Sequence, residues 1–229
     1  MKKTARIAGI LYFLQIPLGI LGIVYVPKTL FVEGDLAGTT SNILEHQDLF
    51  RLGILSAIVC ALVTAATGYY ISKVLRPVSA LPARIIALCT FIVAPITILN
   101  ELNNAGILIV INHPDYFDVE QQQSLIGLFI KLHEYGIQFA GVFFGLWLLP
   151  MGYLVIRSTY IPKVIGYFLL ITCAGYLADF ILFLLFPELK IVVSEATWLG
   201  EIMMVFWLMI KGVKERAFLE FNAFANSAQ

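Results

Sequence analysis

Apolar stretches of membrane-crossing length alternate along the chain with short connections that hold most of the charge. A spanning helix needs about 20 mostly apolar residues. Six stretches qualify: residues 7–26, 52–72, 85–111, 125–156, 164–186 and 198–211, the last being short unless it begins near Val192. The fourth lies in a longer stretch, 118–157, that reads as one helix starting in water. Asp118 with Gln121 three residues later has the capping-box pattern, in which each side chain satisfies the other's backbone N–H. The connection 27–50 is long enough for a short helix of its own, capped by Asp35, with Ile43 and Leu44 resting on the membrane surface. Pro77, Pro82 and Pro162 stop one helix and open the next. Pro17, Pro95 and Pro150 fall within spans and predict kinks whose freed carbonyls need partners. The predicted fold class is therefore an all-α membrane protein: a bundle of six transmembrane helices in one domain, 1–213, followed by a cytoplasmic tail, 214–229.

Composition supports that class. Hydrophobic residues make up 60% and charged residues 13% of the chain, where a soluble domain carries about a quarter charged. The formal net charge is zero, so nothing suggests a nucleic-acid partner; membrane lipids are the partner expected. Position matters more than total charge. Lys2, Lys3, Arg6, Lys73, Arg76, Arg84, Arg157, Lys163, Lys211, Lys214 and Arg216 all fall on one side of the predicted spans, 11 of the 15 basic residues. The opposite connections hold Glu33, Asp35, Glu45, Asp48, Asp115, Asp118, Glu120, Glu188 and Glu195. By the positive-inside rule both termini are cytoplasmic and the acidic loops face outward, which predicts a multi-pass membrane protein. The first apolar run exceeds a signal-peptide core and has no Ala-x-Ala after it, so it is expected to stay as a span. Cys60, Cys89 and Cys173 sit inside apolar segments without metal-ligand spacing and read as small core residues.

Candidate chemistry comes from polar groups inside the spans. A charge at the hydrocarbon centre costs about 2.5–3.5 kcal/mol on insertion scales, so such groups face protein or water and mark function. Placed by helical rise, Asn100, Glu101, Asn103 and Asn104 of the third span fall in the outer half. So do Lys131, His133, Glu134 and Gln138 of the fourth, Asp179 of the fifth and Glu201 of the sixth, with Arg51 at the outer mouth of the second. These positions predict one polar chamber opening outward, lined by the third to sixth helices. Its ligand-binding set is Asp179, Glu201, His133, Glu134, Glu101, Asn100, Asn104, Gln138 and Arg51. Asp179 and Glu201 stand alone in apolar helices and are its principal charge partners, with His133 as a proton-linked group. Lys131 with Glu134 also reads as a snorkelling pair at the interface. Gly141 and Gly145 form a G-x-x-x-G step, where another helix comes close. No metal site is predicted, no cofactor is identified, and no nucleotide-binding or hydrolase fingerprint occurs. The segments after Gly68-Tyr69 and Gly152-Tyr153 run in weak parallel, as a duplicated hairpin or as coincidence.

The chain resembles a family of bacterial six-helix membrane proteins known as domain of unknown function 4386. The likeness rests on Arg6-Ile-Ala-Gly-Ile-Leu-Tyr12, Gly34-Asp35 with Asn42-Ile43, Leu49-Phe50-Arg51-Leu-Gly53 and Arg76-Pro77. It continues through Leu132-His-Glu-Tyr-Gly136, Val142-Phe-Phe-Gly145, Gly152-Tyr-Leu154 with Arg157-Ser158, Gly175-Tyr-Leu-Ala-Asp179, and Gly200-Glu201 with Trp207-Leu208. The resemblance implies an integral protein of the cell membrane and transfers no catalytic residue. Three classes of function stay open: a pocket that binds or conducts a small polar or amphiphilic ligand, an intramembrane enzyme acting on lipid or its head group with His133 as base, and a helical scaffold or regulatory subunit.

Overall fold

The computed structural model describes residues 1–189 and 191–227, without the side chains of 222 and 224–227. Among the described residues there is no strand, only an isolated bridge between Val32 and Asp35. Ten α-helices follow in order: α1 Lys2–Gly19, α2 Val26–Leu30, α3 Leu36–Glu45, α4 Gln47–Leu75, α5 Ala80–Asn112, α6 Val119–Arg157, α7 Lys163–Leu185, α8 Ser194–Thr197, α9 Leu199–Phe206 and α10 Glu215–Ser227. A wide π-helical turn, Ile20–Tyr25, joins α1 to α2, and another, Trp207–Lys211, prolongs α9.

Among the described residues five helices are long and apolar enough to cross a membrane: Lys2–Leu30 (α1 through α2), α4, α5, α6 and α7. Two starts follow the chemistry read from the sequence. Asp35 accepts from Gly38 N at 2.8 Å and begins α3. Asp118 accepts from Gln121 N at 2.8 Å while Gln121 accepts from Asp118 N at 3.1 Å, the reciprocal pair expected ahead of α6. Pro95 and Pro150 lie inside unbroken helices. Pro17 lies in α1, three residues before the wide turn.

The segment expected as a sixth span, 198–211, is helical from Leu199 to Lys211 but shorter than the five long helices, and a break at Trp198 keeps it from extending back towards Val192. Thr172 donates its hydroxyl to the Thr197 carbonyl at 2.5 Å, and the chain turns at Trp198, whose carbonyl accepts from Glu201 N at 3.1 Å in a tighter i→i+3 step. The helical ladder is interrupted where a side chain from α7 takes one of its acceptors.

The chain divides into two compact units. The first comprises Met1–Leu14, Val63–Ala94 and Gln138–Gln229, the second Gln15–Leu62 and Pro95–Ile137. The first unit buries Trp147, Met151, Leu154, Leu169, Met204 and Leu208. Its helices meet at small residues. A side chain at Gly200 would strike the backbone of Phe168 and Leu169, and one at Gly9 the backbone of Leu208 and Met209, so both glycines permit close helix contact. Of the G-x-x-x-G pair, Gly145 lies against Tyr176 and Cys173, while a side-chain carbon at Gly141 would meet nothing within 4 Å among the described residues. Tyr160, between α6 and α7, is wholly buried and donates to the Val74 carbonyl at 2.9 Å; burial pushes its phenol well above the usual range, so it stays a donor. Phe218 of α10 packs edge-on against Tyr160, with ring centres 5.2 Å apart, so the expected tail begins as a docked helix; residues 228–229 lie outside the described residues.

The second unit has its core in Val26, Leu30, Ile43, Phe50, Ile107, Val110, Ile111 and Ile126. Ile43 therefore differs from the expectation that it rests on the membrane surface: it is fully buried under α3, and only Leu44 is exposed. A ten-residue helix with a single apolar stripe gains more by covering a neighbouring core than by floating free of it.

Candidate functional site

In the first unit, α7 presents Thr172, Tyr176 and Asp179 at i, i+4 and i+7, one face of a helix. All three hold the broken segment that follows. Thr172 engages the Thr197 carbonyl at 2.5 Å. Tyr176 donates to Glu201 Oε2 at 3.0 Å. The Asp179 carboxylate accepts from Val193 N at 2.5 Å through Oδ1 and from Ser194 N at 3.1 Å through Oδ2, so both oxygens are spent on fixing the start of α8. This is a helix cap delivered from another helix, and it supplies the partner that an acid alone in an apolar span needs.

Glu201 is reached from two sides. Tyr12 of α1 donates to Oε1 at 2.5 Å and Tyr176 to Oε2. Tyr12 packs edge-on against buried Trp147 with ring centres 5.3 Å apart, and Tyr176 lies beside Phe144 at 6.5 Å. Gly9, one turn before Tyr12, and Gly200, next to Glu201, are the two close-contact glycines. Backbone proximity thus sets the distance between phenol and carboxyl. An open cavity of about 440 Å³ adjoins this group, lined by Tyr176, Ser194, Glu195 and Trp198. Tyr176 is common to the cavity and to the Glu201 hydrogen bonds.

In the second unit, α5 and α6 bring together another part of the predicted set. His133 Nε2 lies 3.1 Å from Glu101 Oε1, and Asn104 Nδ2 donates to Glu101 Oε2 at 2.8 Å. All three are buried, with exposures of 7%, 5% and 8% for His133, Glu101 and Asn104. Asn100 donates to the His133 carbonyl at 3.0 Å and itself accepts from Asn103 at 3.0 Å. Gly136 leaves room for the Asn100 carboxamide, which a side chain there would strike.

The remaining predicted residues have other surroundings. Glu134 pairs with Lys131 at 2.7 Å, both exposed, one of the two readings the sequence allowed. Arg51 donates to Gln47 at 3.4 Å, and Gln47 to Asn112 at 3.2 Å, in an exposed cluster. Gln138 is half-buried in the first unit. The cavity at Tyr176 and the smaller one at Asn104 each lie within one unit. Among the described residues no group of three or more His, Cys, Asp or Glu is placed to hold a metal ion.

Sequence reasoning overlooked Tyr12 as a partner of Glu201. The signal was its depth: tyrosines belong at membrane boundaries, and Tyr12 lies well inside the first apolar run.

Five long apolar helices with polar groups buried among them define the class, a multi-pass helical membrane protein. Residues 7–212 match a family described as domain of unknown function (DUF4386), and the chain belongs to that family. It is also similar to an uncharacterized protein of Archaeoglobus fulgidus, 37% identical over 89 residues, which cover 37% of this chain. The match spans about half, 54%, of that relative's length. No solved structure matches the chain.

Proposed function

We propose that the protein binds or conducts a small polar or amphiphilic ligand through the cavity at Tyr176, Ser194, Glu195 and Trp198, with Glu201 as the charge partner behind it. One observation carries the reading: Tyr176 lines the cavity and donates to Glu201, so a ligand that displaces this phenol meets a carboxyl already set in place. The volume, about 440 Å³, falls in the range of small-molecule sites. Two aromatic residues and one acidic residue in the lining, Tyr176, Trp198 and Glu195, suit a cationic head with an apolar body. Asp179 serves as a positioning group, holding the wall that carries Ser194 and Glu195. This reading is narrower than a chamber lined by four helices. The resemblance to bacterial six-helix membrane proteins supports a bacterial inner membrane as its place, and the distribution of basic residues supports six crossings, both termini in the cytoplasm and the cavity facing outward.

Thermal-shift screening of purified protein against small amphiphilic cations, from tetraalkylammonium ions to alkylated amines, tests it. Stabilising compounds are expected to lose their effect at least tenfold in Glu195→Gln and Trp198→Ala. Equal effects in the wild type and both variants overturn the assignment of the cavity. Co-purification of another membrane protein, with no compound bound, points instead to a scaffold.

A second reading, an intramembrane enzyme acting on lipid or its head group, is favoured by the Glu101 carboxylate beside the His133 ring, the arrangement by which an acid orients a catalytic imidazole. Turnover of a lipid extract by wild type but not by His133→Gln would establish it.

A further inference from the structure

We infer that Asn104, Glu101 and His133 are built around one resident water molecule, which bridges Asn104 and His133 inside the second unit. The site is independent of the cavity at Tyr176. Asn104 Oδ1 is buried and has no hydrogen-bond partner among the described residues, while its amide nitrogen is held by Glu101. A carboxylate only accepts, so the amide must turn its nitrogen to Glu101 and leave its oxygen over. A buried carbonyl left over in this way is costly and is ordinarily met by ordered water.

Asn104 and His133 both line a cavity of about 10 Å³, close to the least volume that one water requires. The other lining residues, such as Val26, Phe31, Phe50 and Ile54, offer no polar side chain. Among the described residues of the lining, therefore, the amide and the imidazole are the polar side chains available to a guest. His133 spends Nε2 on Glu101, which leaves one ring nitrogen for further hydrogen bonding. A guest that donates to the amide oxygen and also meets an imidazole, in a space of this size, is a water molecule. A dehydrated sodium ion needs several oxygen ligands, and Asn104 is the one lining residue with a side-chain oxygen. The water gives the Glu101–His133 pair a hydrogen-bonded neighbour through which a ring N–H exchanges with bulk hydrogen, one proton replaced by one proton.

Solid-state NMR of the full chain in lipid bilayers, labelled with ¹⁵N-histidine, tests this directly. The chain has three histidines, His46, His113 and His133, and a His133→Gln sample identifies the third signal. Magnetisation from water should reach the His133 ring in the wild type and fall at least fivefold in Asn104→Leu, with the His46 and His113 signals unchanged. Where Asn104→Leu does not fold, Asn104→Met makes the same comparison, and the wild-type measurement stands by itself. No transfer from water to His133 in the wild type overturns the inference, as does transfer undiminished by loss of the amide. A His133 signal that moves when sodium replaces N-methylglucamine also overturns it, because the guest would then be a cation.

Discussion

The two units hold their buried acids by opposite means. In the second, Glu101 meets a titratable side chain from the adjacent helix and an amide from its own, three buried groups that depend on each other. In the first, Asp179 and Glu201 meet backbone N–H groups and phenols, partners that are uncharged donors. A mutual set fails as a whole when one member is lost. A carboxylate served by neutral donors loses one hydrogen bond at a time. The difference makes the second unit the more brittle site and the first the more adjustable, as a pocket that admits a ligand requires.

Glu101→Ala should show the largest effect, about 3–5 kcal/mol of destabilisation in thermal or denaturant unfolding, since it strands the buried His133 and Asn104 side chains together. Recovery by a second change, His133→Leu, would sharpen the contrast; a loss under 1 kcal/mol would remove it. Next comes Asp179→Ala, expected to cost about 1–3 kcal/mol by orphaning the Val193 and Ser194 N–H groups. Asp179→Asn should recover part of that, and proteolysis should reveal a loosened segment around 191–198. Tyr12→Phe and Tyr176→Phe should each cost about 1 kcal/mol. Their sum should differ from the double variant because both phenols serve one carboxyl. Only Tyr176→Phe should change binding at the cavity. Smallest is Lys131→Ala, expected within about 0.5 kcal/mol of wild type because the pair with Glu134 is exposed. A larger loss there would mean that Glu134 belongs to a buried network after all.

What was legible in the sequence divides along the same physical line. Hydropathy over 20 residues locates the spans because every backbone group in lipid must be satisfied within its own helix. The caps at Asp35 and Asp118 were legible because a cap and its target are neighbours in sequence. Helical rise gives depth, and depth pointed to Glu101 and His133. It gives no account of which face meets which neighbour, and so Tyr12 and Glu201, 189 residues apart, were not paired. The isolation of Asp179 signalled the need for a partner. That partner proved to be main-chain N–H, which has no residue type by which to recognise it. The break at Trp198 was hidden for the same reason, since it depends on a threonine from α7 capturing a carbonyl.

The wide turn at Ile20–Tyr25 has a consequence for what the first helix tolerates. Ahead of it the Leu18 carbonyl accepts from Ser56 at 2.9 Å, and beyond it Val26 lies against Gly53, so both sides of the turn address α4. Eight residues of regular helix would swing the second contact about 80° off the first, at about 100° per residue. The bulge swallows one residue and brings the two back into phase. Deleting a single residue between Ile20 and Tyr25 should thus heal the spiral and keep the seam with α4, whereas the same deletion in the middle of α4 would turn every later side chain away from its mate.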